Sequence, residues 1–165
     1  MSACHSFRAV AAGLGSAFLL LSGCGWHLQG SYPLPRSLAA VHIDAVDTQS
    51  EFYIAMRKAL LDAGTRIDDS DGSAAVLHIL TDSTKENILT VSALNVPTEY
   101  ELSYTVRYSV DLNSRELLAP EHRVLVRDYS YSESAQLAKQ REASILSMAL
   151  ARELAAVVMR RLSSL

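Results

Sequence analysis

The chain has 165 residues, with 15 basic and 18 acidic side chains and a formal net charge of −3. A mildly acidic chain lacks the basic surface that nucleic-acid binding requires, which excludes that class of function. The length suffices for one domain with a real hydrophobic core.

The N-terminal segment is typical of an export signal rather than of a folded element. One cation, Arg8, precedes a run of small and apolar residues at positions 9–21. That run is shorter than the ~20 residues that a helix needs to span a bilayer. A cationic start, a short apolar stretch and small residues before a processing point together predict a cleaved signal peptide. Since no later apolar run is long enough to cross a bilayer, we expect a soluble domain to follow.

The sequence Leu21-Ser22-Gly23-Cys24 resembles the bacterial lipobox. The resemblance implies cleavage after Gly23, a diacylglycerol on the Cys24 sulfur and an N-palmitoyl chain on the new amino terminus. One acyl chain holds a protein only marginally, whereas several chains on one residue hold it stably. Glycine rather than aspartate at position 25 implies sorting to the outer membrane. The alternative is an ordinary cleaved signal that leaves Cys24 as a free thiol.

Cleavage at this point divides the chain into three parts. We expect a signal peptide at residues 1–23, a lipidated tether at residues 24–37 and an α/β domain at residues 38–165. The mature chain would keep 14 basic and 18 acidic residues, a net charge of about −4. Because Cys4 leaves with the signal and Cys24 carries lipid, we expect packing rather than a disulfide to hold the domain together.

The first part of the domain predicts a strand and then a helix. Residues 38–45 alternate in the manner of a short strand. Ser50 and its neighbours offer N-cap oxygens, and Gly64 stands where a helix would end. Apolar residues recur between them at helical spacing: Phe52, Met56, Ala59, Leu60 and Ala63. Residues 65–68 predict a weaker strand. The acidic run at 68–72 lacks the later ligands of a calcium loop, so we interpret it as a polar turn.

The middle of the domain predicts a long antiparallel hairpin with one buried face. A strand is expected from residue 75 to about 88, and it is interrupted at residues 94–97, where Pro97 cannot donate to a ladder. Apolar and polar residues then alternate with a period of two at positions 100–112. Asn113 and Ser114 make the turn. Leu117, Leu118 and residues 124–131 are expected to return as the partner strand.

The last segment, from about residue 134 to 162, predicts a long helix, since it contains neither glycine nor proline. Its apolar residues approximate one stripe, which we expect to face the core: Leu137, Ile145, Met148, Leu154, Val158 and Leu162. The order of elements predicts an α/β two-layer sandwich. Two helices would cover one face of a mixed, mainly antiparallel sheet of about four strands.

The sequence shows no catalytic or metal-binding signature. It has no nucleophile elbow, phosphate loop or metal-binding cysteine cluster. The four histidines that follow the signal are scattered, and none has the spacing of a helical zinc pair. They are His27, His42, His78 and His122. We therefore expect no metal, no cofactor and no enzymatic activity.

Two stretches are better suited to binding. Arg127 lies among the tyrosines that end the hairpin, and Lys139 opens the last helix. Strand aromatics beside a cation suit contact with another β protein or with an anionic amphiphile. The structural alternative is that the tyrosines pack the sheet, Arg127 pairs with Asp128, and Lys139 is a solvated charge. Composition alone favours that alternative.

Several motifs in this order resemble the LptE family of lipopolysaccharide-assembly lipoproteins, and the match covers essentially the whole chain after the signal. They are Cys24-Gly25-Trp26-His27-Leu28, Tyr100-Glu101-Leu102-Ser103-Tyr104, Arg127-Asp128-Tyr129-Ser130-Tyr131, Leu137-Ala138-Lys139-Gln140 and Arg160-Arg161-Leu162. The resemblance implies an outer-membrane lipoprotein that sits inside the LptD β-barrel, assists its assembly and helps deliver lipopolysaccharide to the cell surface. It also implies two helices on a four-stranded sheet.

The resemblance implies a binding role for one residue, and the sequence departs from some family members at a second position. Lys139 matches the family's Leu-Ala-Lys motif, which implies contact with the phosphates of lipopolysaccharide. Arg127 and Arg141 are the neighbouring cations and are further candidate contacts. Residues 91–98 contain no arginine or lysine, although some family members place a cation there. The charge contact in that region is therefore not expected here.

Two other functions stay open at this point. One is an accessory lipoprotein of the general barrel-insertion machinery or another envelope scaffold, which would co-purify with many barrel proteins rather than one. The other is a lipid-anchored cell-wall hydrolase, which would need a cleft with a nucleophile or a metal.

Overall fold

A computed structural model of the protein describes residues 33–68, 75–130 and 136–165, with the side chains of the last range from residue 140 onward. After a 3-10 turn at Arg36–Leu38, this part of the chain forms two helices and five strands. The helices are α1 (Glu51–Asp62) and α2 (Gln136–Leu162). The strands are β1 (Ala40–Ala45), β2 (Arg66–Ile67), β3 (Ala75–Val91), β4 (Pro97–Leu112) and β5 (Arg115–Ser130).

The strands form one mixed sheet in the order β2-β1-β3-β4-β5. β1 pairs with β2 and β3 in parallel, whereas β3, β4 and β5 form an antiparallel meander. Two helices on a mixed, mainly antiparallel sheet confirm the predicted fold class. The count of about four strands was low by one, because the two-residue β2 also joins the sheet. Of the acidic run at 68–72, interpreted as a polar turn, residues 69–72 lie outside the described residues.

Helix α1 begins and ends at the predicted signals. The Ser50 side chain accepts a hydrogen bond from the Tyr53 amide at 3.1 Å, which caps the first turn. Gly64 has φ of +83°, the left-handed conformation that terminates helices. The apolar stripe faces the sheet, with Phe52, Met56 and Leu60 fully buried. The sequence pattern therefore placed this helix correctly.

The meander follows the predicted alternation closely. The apolar residues of β4 are buried and most of the polar residues between them lie on the opposite face. Asn113 and Ser114 both have positive φ, 50° and 61°, as a two-residue turn of this kind requires. β5 is one strand rather than two segments. Ala119 and Pro120 of β5 together face Ser109, which makes a bulge where the apolar pattern breaks.

Helix α2 corrects one sequence interpretation. Leu154, Val158 and Leu162 are buried as expected, but the Ile145 side chain is 61% exposed and that of Met148 37%. The core-facing positions are filled by Leu150, Ala151, Ala155 and Met159 as well. The two helices contact each other, and small alanines occupy part of the core side of α2, while Ile145 and Met148 lie on its exposed side. The side chain of Leu137 lies outside the described residues.

The two faces of the sheet differ in composition. The face under the helices holds the core, including the large buried side chains of Tyr104 and Tyr108. Among the described strands, the open face carries short hydroxyl side chains and more carboxylates than cations. The carboxylates are those of Asp44, Glu99, Glu101, Asp111, Glu116 and Asp128; the cations are Arg66, Lys85 and Arg107.

Candidate functional site

A tyrosine of β4 joins α1 to the sheet. The Tyr104 hydroxyl donates to Asp82 Oδ1 at 2.7 Å and accepts from the Phe52 amide at 3.2 Å. The Ser50 hydroxyl donates to Asp82 Oδ2, so one carboxylate holds both the cap and the phenol. Burial, and then the hydrogen bond to Asp82, raise the pKa of the Tyr104 phenol above its ordinary value. Tyr104 is therefore a neutral donor and a structural group.

A second phenol lies in a network between β4, β5 and α2. Tyr108 donates to Glu121 Oε2 at 3.1 Å, while Arg161 Nε donates to Glu121 Oε1 at 2.7 Å. Arg123 adds a 2.6 Å contact to the same carboxylate. The hydrogen bond from Arg161 is the main cause that lowers the pKa of Glu121. Burial and the bond to Glu121 raise the pKa of Tyr108 to about 12. Glu121 thus stays ionised and ties the end of α2 to the sheet.

A third phenol, that of Tyr129 on β5, donates to the carboxylate of Glu86 on β3, across β4. Its ring stacks on that of Tyr100, with the ring centroids 5.4 Å apart and the planes 20° apart. Burial, and then the hydrogen bond to Glu86, raise the pKa of Tyr129. This is the outcome expected for tyrosines that pack the sheet, so the aromatic motif that ends the hairpin is structural at Tyr129.

The histidines of the described residues make structural contacts or lie exposed. His78 Nδ1 is 2.8 Å from Asp44 Oδ2, and its Nε2 is 3.3 Å from Asp111 Oδ2. These side chains sit on three adjacent strands of the open face. His42 Nδ1 lies 3.0 Å from the Asp68 carbonyl oxygen. Within the described ranges no group of three or more His, Cys, Asp or Glu side chains could hold a metal ion.

The predicted contact residues differ in how available they are. Arg127 pairs with Glu153 of α2, Nη2 to Oε2 at 2.8 Å, rather than with Asp128. Arg141 is exposed on α2 and makes no ion pair with a described residue. Lys139 lies in the first turn of α2, but its side chain is outside the described part. Cys24 lies outside the described residues altogether. The Arg127 guanidinium is therefore already paired with a carboxylate, whereas no described residue forms an ion pair with Arg141.

Sequence reasoning missed a surface on α2. Arg141, Ile145, Met148 and Arg152 follow one another at spacings of four, three and four residues, and all four are exposed. These spacings place them on one face of a helix. The signal was present in the sequence as two apolar residues between two cations at helical spacing. It was missed because Ile145 and Met148 were assigned to the core.

The tip of the β3–β4 hairpin is uncharged and apolar. Ile88, Leu89, Val91 and Leu94 are exposed, Leu94 at 82%. The turn between the strands is closed by the Ser92 amide, which donates to the Val96 carbonyl at 2.7 Å, and Asn95 has φ of 63°. It includes residues 91–98, where the sequence contains no arginine or lysine and no charge contact is expected.

None of the described helices is long and apolar enough to cross a membrane. Every buried side-chain nitrogen or oxygen in the described ranges has a hydrogen-bond partner. The phenols of Tyr104, Tyr108 and Tyr129 and their carboxylate partners are thus hydrogen-bonded to one another. The fold and these contacts define a two-layer α/β domain.

A family model described as LptE, lipopolysaccharide-assembly, matches residues 38–162. The range runs from the buried Leu38 to the buried Leu162 and so takes in both helices and all five strands. The chain belongs to the LptE family.

Curated relatives agree with this assignment. The LPS-assembly lipoprotein LptE of Pectobacterium atrosepticum is 26% identical over 151 residues, which cover 90% of this chain and 82% of the relative. The LPS-assembly lipoprotein LptE of Yersinia enterocolitica is also 26% identical over 151 residues, covering 90% of this chain and 72% of the relative.

Solved structures share the fold. The crystal structure of rare lipoprotein B from Shewanella oneidensis superposes with a TM-score of 0.67 at 26% identity, covering 76% of this chain and 94% of the other. The solution structure of lipoprotein B from Nitrosomonas europaea gives a TM-score of 0.68 at 22% identity, covering 85% and 91%. The second comparison concerns the fold alone.

Proposed function

We propose that this protein is an outer-membrane lipoprotein that partners an LptD-type β-barrel as a plug. In this role it assists barrel assembly and helps to recognise lipopolysaccharide and deliver it to the cell surface, without enzymatic activity. The observation that carries the proposal is the family match, which spans the whole described fold. The curated relatives bear the name LPS-assembly lipoprotein, which supports the same role.

Attachment to the membrane would occur through acylated Cys24. The lipobox-like sequence at residues 21–24 supports this site, and several acyl chains on one residue hold a protein stably. Residues 25–37 would then form a tether between the membrane and the domain. The domain itself would face the periplasm or the barrel lumen.

A plug needs a rigid domain with a mostly polar outside, since the interior of an outer-membrane barrel is polar. The described domain fits this need. The Ser50–Asp82 and Phe52–Tyr104 hydrogen bonds tie α1 to the sheet, and the Arg161–Glu121 and Arg127–Glu153 ion pairs tie α2 to it. The open sheet face carries hydroxyl and charged side chains. No chemistry beyond positioning is required of such a domain.

Contact with lipopolysaccharide would rest on cations near the start of α2. Phosphates attract ammonium and guanidinium groups. No described residue forms an ion pair with Arg141, whereas Arg127 must first leave Glu153. Lys139 is assigned by its family motif and lies two residues before Arg141. We rank Lys139 and Arg141 above Arg127 as contacts.

The first experiment is a mild-detergent pull-down of the tagged, lipidated protein from its own outer membrane. Recovery of one large β-barrel at near one-to-one stoichiometry supports the plug function. Recovery with a multi-subunit insertion complex and many barrel clients would instead support the general-assembly alternative. Recovery of no barrel protein contradicts the proposed partnership. A Cys24→Ala variant, analysed in parallel, tests whether membrane attachment depends on that residue.

A charge reversal at Lys139 tests the lipid contact. Lys139→Glu should weaken lipopolysaccharide binding by the full-length protein by about fivefold to tenfold, because it replaces an attraction to phosphate by a repulsion. Equilibrium binding to labelled lipopolysaccharide is the measurement. Lys85→Glu on the open sheet face is the matched control and should leave the affinity unchanged. Equal affinities for Lys139→Glu and wild type would remove Lys139 from the site.

A further inference from the structure

Strand β3 has one edge that no described strand covers for most of its length. β1 pairs with β3 only from Ala75 to Ile79, whereas β4 pairs with β3 as far as Val91. Beyond Ile79, the side of β3 that faces away from β4 therefore has no neighbour among the described strands. The pairing with β4 is regular over Thr81–Ile88, between two bulges. We call this run the β3 edge; at roughly 3.3 Å per residue it is about 25 Å long.

The backbone of the β3 edge presents hydrogen-bonding groups to the uncovered side. Ser103 Oγ of β4 donates to the Lys85 carbonyl oxygen at 3.2 Å, so that carbonyl points toward β4. In antiparallel pairs, successive residues direct their N–H and C=O groups alternately toward the neighbour and away from it. The peptide groups of Thr84 and Ile88, an odd number of positions from Lys85, therefore point outward. Such a row of groups is a template for a further strand.

The other long edge of the sheet is protected against strand addition, and the β3 edge lacks most of this protection. β5 contains Pro120 and a bulge, and charged side chains follow along its outer half: Glu121, Arg123, Arg127 and Asp128. Charge, proline and bulges are the devices by which edge strands avoid pairing. The β3 edge has no proline, its bulges lie at its ends, and no charged residue occurs from Asn87 to Thr98. Ile88 and Leu89 are 57% and 49% exposed there.

These features specify an extended peptide as the ligand. Acyl chains cannot satisfy outward peptide groups, which is why open sheet edges do not occur in the hydrocarbon of a bilayer. A phosphorylated ligand would find no cation between Asn87 and Thr98. A peptide strand, by contrast, supplies main-chain donors and acceptors at the matching spacing.

The source of the peptide follows from the closure of a barrel. Strands in a barrel wall are paired on both sides, so they have no edge to offer. A loop or a terminal extension of the barrel protein is the part that can adopt a new pairing. We propose that the β3 edge binds such an extended segment of the LptD-type partner as an added strand in line with β1. This inference rests on the proposed function.

The side chains of the β3 edge define the complementary segment. Lys85 is exposed on the open sheet face and makes no ion pair with a described residue. A carboxylate directly across from it would complete a cross-strand ion pair. Apolar or β-branched side chains on the added strand would cover Ile88. We therefore expect a partner segment with one acidic residue beside an uncharged, β-branched run.

Hydrogen exchange tests the backbone pairing directly. The full-length, lipidated protein is compared alone and in the complex recovered with its barrel partner, both in mild detergent. Outward amides of the β3 edge should exchange about tenfold or more slowly in the complex. The amides of Val124 and Val126, which point outward from β5 by the same alternation, are the internal control and should keep their exchange rates.

A proline substitution tests the same pairing through binding. Thr84→Pro removes an outward N–H and keeps the ladder to β4, since proline is tolerated at edge positions that face away. It should lower the recovery of barrel protein in the pull-down by about fivefold. Thr84→Val, which keeps the N–H, and Val124→Pro, the matched change on β5, should both retain wild-type recovery. Thermal unfolding checks each variant, and the exchange measurement on wild type decides if Thr84→Pro is unstable.

The results separate this inference from the proposed function. If wild type recovers the barrel but the β3 edge exchanges as fast in the complex as alone, the edge is overturned while the function stands. If wild type recovers no barrel protein, the proposed partnership fails and this inference fails with it. Protection of the β3 edge that rises with protein concentration in the absence of the barrel would overturn the barrel segment as the ligand and assign the edge to a second copy of this chain.

Discussion

The hydroxyl of Tyr104 holds the first turn of α1 against the sheet. It accepts from the Phe52 amide, one of the helix-start donors that have no partner inside a helix, and donates to Asp82. Its partners lie 52 and 22 positions away in the sequence. The buried phenol therefore serves as a second cap in addition to Ser50, contributed by a distant strand.

Tyr104→Phe should destabilise the domain by about 1–3 kcal/mol, because it leaves the Phe52 amide and one oxygen of Asp82 without a partner. The change is measured as a lower midpoint in urea unfolding. Tyr53→Phe is the matched control, since the half-buried Tyr53 hydroxyl bonds no described residue. A Tyr104→Phe protein as stable as the control would mean that the phenol hydroxyl contributes no net stability.

The Glu121 carboxylate should make the stability of the domain depend on pH on the acid side. Its pKa is lowered in the folded state, first by the hydrogen bond from Arg161. A lowered folded pKa gives a stabilisation that is fully present above the ordinary value of 4.5 and is lost as pH falls through the folded pKa. Acidification should therefore weaken the attachment of α2 to β5.

Glu121→Gln tests this dependence through urea unfolding at pH values from about 7 to about 3. The variant should be less stable than wild type near neutral pH, and the difference should shrink as the pH falls. Glu116→Gln, an exposed carboxylate of the same strand, serves as the comparison. A difference between Glu121→Gln and wild type that stays constant over the whole range would contradict the assignment.

Sequence reasoning at this scale identified residue types but not their partners. Tyr129 was expected to pack the sheet, and it does so with Glu86 as its acceptor. The structural alternative for Arg127 was an ion pair with its neighbour Asp128, whereas it pairs with Glu153, 26 positions away. Long side chains pair with groups that are close in the fold, and the residue pattern along the sequence holds no information on those distances.

Among the elements, the β4–β5 turn contains a residue in an unfavourable backbone conformation, and a substitution there should stabilise the domain. Ser114 has φ of 61°, a left-handed conformation that is unfavourable for a residue with a Cβ atom. Two-residue turns of this type prefer asparagine followed by glycine. The native Asn113-Ser114 sequence meets the first preference and not the second.

Ser114→Gly should therefore raise the free energy of unfolding by about 0.5–1 kcal/mol. Differential scanning calorimetry should show a higher Tm. Asn113→Gly at the adjacent turn position should gain less, because asparagine tolerates positive φ better than serine does. A Tm for Ser114→Gly at or below that of wild type would show that the native turn is not strained at this residue.

Periodicity predicted the strands better than the last helix. In β4 a strict period of two assigned every apolar residue to the correct face. In α2 the core contains Ala151 and Ala155, which are too small to mark a stripe in the sequence. The larger Ile145 and Met148 were read as core in their place. When the core-facing side of a helix contains small residues, the hydrophobic pattern of the sequence does not identify that side.

For the whole molecule, layers and fold class were predictable, and strand order was not. The helix and meander signals are local, so they appear in the sequence. The parallel pairing of β1 with β3 joins segments separated by α1, and no residue pattern in the sequence predicts it. The two-residue β2 is likewise too short to give a periodic signal, although its position at 65–68 was indicated.

The unequal charge of the two faces gives the domain an electric dipole that points across the sheet. In the described residues, carboxylates outnumber cations on the open strands, while the part of α2 from residue 140 has four arginines and two glutamates. An external field exerts a torque on such a body, so rotation is biased before any contact forms. A phosphorylated lipid surface would therefore turn the helix layer toward itself during approach. Added salt would shorten the range of this electrostatic orientation. It would lower the rate of binding to such a surface more than it weakens the final complex.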